Sequence, residues 1–276
     1  MFLLFPGGAQ ALMGQASSGA FRGHVVDPSG SPVAAAKVAA RNQATAVVAE
    51  TVTDASGAYL LSHLVPGTYT VSASKAGFKE LSSTDLDLNL DQQIDLDLSL
   101  TLGSVTDSVT VTSATPVLQT HSVDTGQVIE SREITDLPLN GRNFEDLFFL
   151  TAGVDHGVGG NSSNLSVSGQ REFSNSVVLN GIEVTSDRNN DPGVTPSVDA
   201  MQEFKVVTSA YSAEFGRASG GVILLQTKSG ANEVHGDAYL FYRPKETAAQ
   251  EYFSTTGSDL HHDNFGGTVG LSLIHI

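Results

Sequence analysis

The chain has 276 residues, 40% of them hydrophobic and 16% charged, which is enough apolar material for compact domains and excludes wholesale disorder. Aspartate and glutamate number 30 against 14 lysines and arginines, and the net charge of -16 argues against a nucleic-acid partner, because phosphates would be repelled. No cysteine is present, so disulfides and thiolate chemistry are excluded.

The opening stretch, MFLLFPGGAQALMGQASSG, is an apolar run followed by Gly14 and Ala16 at the small-residue spacing of a signal-peptidase site. It lacks a basic start and is too short to span a bilayer as a helix. The expectation is that residues 1–19 are an incomplete signal peptide.

Residues 20–102 read as short strands punctuated by turns. AFRGHVVD, VAAAKVAAR, AVVAETVTD, AYLLSHL and TYTVSASK are the strands, with PSGSP, ASG and VPG among the turns. In STDLDLNLDQQIDLDLSLTL, Leu86, Leu88 and Leu90 share one face and Asp85, Asp87 and Asn89 the other. After a turn at 91–93 the alternation resumes with Ile94, Leu96, Leu98 and Leu100, so one face is core and one is wet. The aspartates spread along a face instead of converging, which suits a solvated strand better than a calcium site.

The series GHVVDPSGSPVAAAKV and TVTDASGAYLLSHLVPGTYTVSASKAGF resembles the carboxypeptidase regulatory-like domain, a small transthyretin-like sandwich. That name does not confer peptidase activity. None of His24, His63, His121, His156, His235, His261 or His262 has a glutamate three positions on, as a zinc peptidase's H-x-x-E would need.

Next comes GSVTDSVTVTSATP, residues 103–116, where Val105, Val109 and Val111 alternate with threonines in the period of a half-buried strand. Its partner is not evident from the pattern. It reads equally as a last strand of the first domain, a passive linker, or a strand offered to another protein.

From residue 117 the pattern turns to α+β. SREITDLPLN predicts a short helix capped by Ser131 and ended before Pro138, and NFEDLFFLTAGV a second, with Asn143 as cap and Gly153 as stop. Phe144, Leu147 and Phe148 then fall on one face. SVVLNGIEV predicts a hairpin with a type I′ turn at Asn180-Gly181, and MQEFKVVTS and GGVILLQTKSG two further strands. Gly216, Gly220 and Gly221 read as glycines of tight turns and close packing, and Arg142, Arg171 and Arg217 either as contacts for an anionic ligand or as structural cations.

The ordered series LPLNGRNFEDL, LSVSGQREFSNSVVLNGIEV and DAMQEFKVVTSAYSAEFGRASGGVILLQTKSG resembles the plug domain of TonB-dependent outer-membrane receptors, in the Oar-like branch that carries a regulatory-like domain ahead of the plug. The resemblance implies that the strand at 103–116 is the TonB box, a segment that adds itself to the sheet of TonB. Ser108, Val109, Thr110, Val111 and Thr112 are the expected contact residues: β-favouring, uncharged and free of proline, with Pro116 beyond. It also implies that Arg142, Arg171 and Arg217 are structural, pairing with carboxylates of the enclosing barrel, and that plug loops at 154–164 and 185–196 contact the ligand.

NEVHGDAYLFYR, from Asn232, alternates and resembles a first barrel strand, its Tyr239, Phe241 and Tyr242 suited to a membrane interface, and HHDNFGGTVG leads into a second. The closing LSLIHI resembles translated sequencing adapter, so residues 271–276 are expected to be an artefact.

The expected fold class is therefore an N-terminal all-β transthyretin/prealbumin-like sandwich (20–102), a linker with the TonB box (103–116), an α+β plug (117–230) and the start of a truncated β-barrel (231–270). The expected function is substrate uptake through the bacterial outer membrane, energised by TonB, with the N-terminal domain in the periplasm. Partners are the TonB C-terminal domain, the membrane, and a small-molecule, glycan or peptide substrate. No cofactor, metal or catalytic residue is expected. The rival reading is a soluble periplasmic or cell-surface binding or adhesion module without a barrel.

Overall fold

The computed structural model describes residues 18–103, 108–112, 125–137, 139, 142–157, 165–186, 192–216, 218–244 and 262–271. Nearly all of the leader stretch, most of the closing LSLIHI, residues 158–164 and 187–191 of the two expected ligand loops and Arg217 lie outside them.

The first nine strands form a sandwich. They are β1 (Gly19–Val26), β2 (Lys37–Asn42), β3 (Val48–Val52), β4 (Ala58–Leu64), β5 (Gly67–Ser74), β6 (Glu80–Leu88), β7 (Gln93–Asp95), β8 (Leu98–Ser99) and β9 (Ser108–Thr112). One sheet centres on β1, antiparallel to β4 and parallel to β7 and β8. The other runs in the order β3-β2-β5-β6-β9. Between them lie Phe21, Val38, Leu61, Tyr69, Val71, Leu86, Leu88 and Ile94, contributed by alternate positions of strands in both sheets. Phe21 and Tyr69 meet edge to face with centroids 5.7 Å apart.

Two D-x-S-G turns have the same internal wiring. Asp27 Oδ1 accepts from the Ser29 and Ser31 amides at 2.8 and 2.9 Å, and Asp54 Oδ1 from those of Ser56 and Ala58 at 2.8 and 2.9 Å. These bonds hold both carboxyls below the ordinary aspartate range, the side-chain serine bond being the largest cause in each.

Two expectations in this domain shift. The strand expected from Val33 begins only at Lys37. The Thr53 hydroxyl donates to the Val33 carbonyl at 2.7 Å and accepts from the Ala36 amide at 2.8 Å, and Ala35 takes a left-handed φ of 52°, so the intervening residues form a turn. Leu90 leaves the face it was expected to share with Leu86 and Leu88: β6 stops at Leu88, and Asp91 turns with φ 54°.

The plug-like domain is built on a five-stranded sheet in the order β10-β15-β16-β13-β14. Its strands are β10 (Thr125–Glu130), β13 (Ser176–Leu179), β14 (Ile182–Glu183), β15 (Met201–Ser209) and β16 (Val222–Thr227), beside a small hairpin of β11 (Val154–His156) and β12 (Leu165–Val167). Asn180 and Gly181, with φ of 49° and 80°, make the expected two-residue turn between β13 and β14. Helix α1 (Ser131–Asp136) starts where expected, but Ser131 is its first residue; Glu130 holds the cap position, without a side-chain bond. The second expected helix is a 3-10 segment, Phe144–Leu150, whose cap Asn143 accepts from the Glu145 amide at 3.1 Å. Phe144, Leu147 and Phe148 are buried on one side of the sheet with Ile129, Phe204, Val206 and Ile223.

The last two strands, β17 (His235–Arg243) and β18 (His262–Gly270), form an antiparallel hairpin in unbroken register from His235–Gly270 to Arg243–His262. Successive side chains of a strand point to opposite faces, so the pair has two. His235, Asp237, Tyr239, Phe241 and Arg243 line one face with His262, Asn264 and Thr268; Ala238, Leu240 and Tyr242 line the other with Phe265 and Val269. Leu240, Phe265 and Val269 are 72%, 76% and 86% exposed. Among the described residues no helix is long and apolar enough to cross a membrane.

Candidate coupling segment and plug surface

Residues Ser108, Val109, Thr110, Val111 and Thr112, the described part of the linker stretch read over 103–116 beyond Gly103, together are β9. The structure gives this strand a partner within the chain. It pairs in parallel with β6, in the register Glu80–Ser108, Leu81–Val109, Ser82–Thr110, Ser83–Val111 and Thr84–Thr112. Sequence reading left that geometry open as one of its alternatives. Among the described residues, β9 ends the sheet order, with no strand on its outer side. At its approach, Leu102 bridges Phe78 and the Lys79 amide donates to the Thr101 carbonyl at 2.8 Å. Glu80 to Ser82, which hold three of the five pairs, carry no strand signal of their own.

On the plug, the structural reading of the arginines is met at one described position, with a different partner from the one expected. Arg142, in the left-handed region at φ 55°, forms a buried ion pair with Asp199 of the same domain, only 6% and 7% of the two side chains being exposed. Its guanidinium also lies 3.9 Å from the centroid of the Phe241 ring, on the inward face of β17. Two further contacts join that face to the plug: Ser197 Oγ to the Tyr239 hydroxyl at 3.3 Å, and Lys228 Nζ donating to Asp237 Oδ1 at 3.3 Å.

Asn175, which sequence reading missed, organises the neighbouring turn. Only 4% exposed, it donates to the Leu165 carbonyl at 2.7 Å and accepts from the Gly221 amide at 3.0 Å. A Cβ at Gly220 would sit 2.4 Å from its Oδ1, and one at Gly221 2.7 Å from Val167 Cγ1, so both glycines are set by close approach. Gly216 differs from the expectation: a Cβ there would meet nothing within 4 Å, and its φ is not left-handed.

The other side of the plug sheet meets the sandwich. Leu90 is fully buried among Val178, Val207, Val222 and Leu224 of the plug. Asp91, next to it, pairs with Lys205 Nζ at 3.1 Å. The buried Glu203 carboxylate accepts from the Leu90 amide; burial pushes its carboxyl up to about 7, with the charge of Glu130 adding to the rise and the Leu90 bond and Lys205 opposing it. A cavity of about 350 Å³ opens beside these groups, lined by Gly67, Asp87, Asn89, Glu130 and Glu203 among others. Among the described residues no three His, Cys, Asp or Glu side chains converge as metal ligands would.

Three family models match the chain in order: the carboxypeptidase regulatory-like domain over residues 20–101, the TonB-dependent receptor plug domain over 119–222, and an outer membrane beta barrel domain over 226–275. A curated relative, the TonB-dependent transporter Oar of Myxococcus xanthus, is 28% identical over 240 residues, covering 79% of this chain. This chain spans only 22% of that relative's length. Among solved structures, the outer membrane transporter YddB from Escherichia coli is 22% identical, with a TM-score of 0.37 over 43% of this chain and 18% of its own. The siderophore receptor PirA from Acinetobacter baumannii is 19% identical, with a TM-score of 0.41 over 54% of this chain and 22% of its own.

Proposed function

We propose, for a chain that carries the regulatory-like, plug and opening barrel portions of a TonB-dependent outer-membrane receptor, that it takes part in substrate uptake across the outer membrane, driven through TonB. The chain belongs at that membrane, its plug and N-terminal sandwich on the periplasmic side.

The observation that carries the reading is the two-faced hairpin. The inward face of β17 holds the plug through Phe241, Tyr239 and Asp237, while Leu240, Phe265 and Val269 stand exposed on the other. One face packed on the plug, through aromatic as well as polar side chains, and the other largely apolar and exposed is the arrangement of a barrel wall whose lumen is plugged. Tyr239 and Phe241, expected at a membrane interface, lie on the plug side. A soluble module would have no use for that outer face.

In this reading the substrate, a small molecule, glycan or peptide, binds the plug from outside. TonB then takes up residues 108–112 by strand addition and pulls, remodelling the plug so that a path opens. The work is conformational, and no side chain is assigned a covalent step. Backbone bonds of about 0.5–1.5 kcal/mol each make such an attachment reversible. Thr110→Pro removes an amide from the centre of the segment. The purified, detergent-solubilised variant is expected to lose at least tenfold in affinity for the TonB C-terminal domain by calorimetry, with an unchanged circular-dichroism spectrum. Wild-type affinity in the variant would sink the assignment of this segment.

A further inference from the structure

Residues 108–112 occupy one edge in the structure while the proposed function requires them at another. Strand addition uses a strand's backbone donors and acceptors, and β6 already engages those along one side of β9 from Ser108 to Thr112. We propose that the sandwich regulates coupling: β6 competes with TonB for the coupling strand, and TonB binds once β9 has been released. This rests on the reading of residues 108–112 as the segment TonB takes up.

Three features make the pairing suited to exchange. It is short, covering only five residue pairs, and parallel, the slightly weaker of the two ladder types per residue. β6 does not need it, since its other side is held antiparallel by β5 from Gly67–Leu88 to Ala73–Leu81. β6 thus keeps a partner strand whether β9 covers its outer edge or leaves it open.

The energetic consequence is a population effect. If only a fraction of molecules holds β9 free, the apparent affinity for TonB falls by that fraction. Any event that loosens β9 from β6 raises the affinity without a new contact.

The absence of cysteine from the chain allows a clean test. Ser82 and Thr110 are direct register partners, so Ser82→Cys with Thr110→Cys places a reversible staple across β6 and β9. Affinity for the TonB C-terminal domain is measured on the full detergent-solubilised chain, oxidised and reduced, beside the wild type and Thr110→Pro. The expected result is that the reduced double variant binds and the oxidised form binds at least tenfold more weakly. Because both forms carry the same substitutions, the difference reads the pairing alone. Equal affinities, with Thr110→Pro still defective, would overturn the competition and leave the coupling segment standing, engaged through the outer edge of β9. Undiminished binding by Thr110→Pro would remove the coupling-segment reading, and the competition with it.

Discussion

Arg142 is held by two unlike partners, the Asp199 carboxylate and the face of Phe241. Little of either charged side chain is exposed, and Arg142 Nε and Asp199 Oδ2 find no hydrogen-bond partner among the described residues. The pair matters chiefly because removing one member leaves a buried charge uncompensated, at a cost of about 3–5 kcal/mol. Asp199→Ala is therefore expected to destabilise the chain by about that amount in denaturant unfolding. Replacing both residues, Arg142→Met with Asp199→Leu, should cost far less. The glycines give a second contrast. Gly220→Ala forces a Cβ against Asn175 and should cost about 1–3 kcal/mol, whereas Gly216→Ala meets open space and should change stability by less than about 0.5 kcal/mol. Both are read by the same unfolding assay. Nothing in the residue pattern separates these glycines, since the difference depends on where Asn175, 45 positions away from Gly220, places its amide. It depends on the fold.

At the scale of elements, the turn after β6 and strand β15 form the joint between sandwich and plug. Glu203 lies in it beside Glu130 and Lys205, with Asp91 paired to Lys205 and Asp87 lining the adjacent cavity. Its carboxyl is raised from an ordinary value of 4.5 to about 7, so between those values the folded state binds more protons than the unfolded chain. The associated stability is complete below about pH 4.5 and is lost as pH rises through about 7. One pKa unit corresponds to about 1.4 kcal/mol, which makes the loss about 3–4 kcal/mol in all. Glu203→Gln, a neutral isostere, should be more stable than the wild type at pH 8 by an amount of this order and should flatten the decline between pH 5 and 8, measured by thermal unfolding. Some strands were legible in the sequence: β4 and β15 have the expected limits, and the Asn180-Gly181 turn the expected geometry. Leu90 was not, because period-two alternation cannot say where a strand ends and hands its next apolar residue to a different domain. The cap at Ser131 failed for a similar reason. The residue type suits the role, but the backbone enters the helix one position earlier.

For the whole molecule, the order of domains was readable because each motif series is long and the series follow one another, and the three family matches fall in that order. What no single series contained was the contact between them. The partner of β9 lies in another segment, and a parallel register leaves no mark in either strand's composition. The same holds for Arg142, whose carboxylate was expected from the enclosing wall and comes from the plug itself, while the wall contributes an aromatic face instead.

The hairpin of β17 and β18 bears on the order of assembly. Its anchors to the plug are near in the chain: Lys228 and Asp237 are nine residues apart, Ser197 and Tyr239 forty-two. Closing loops of that length costs little entropy and is fast, whereas the edges of a large barrel meet only across the whole wall. The hairpin can therefore seat on the plug early in folding, with the plug serving as the surface against which both strands take their height and tilt.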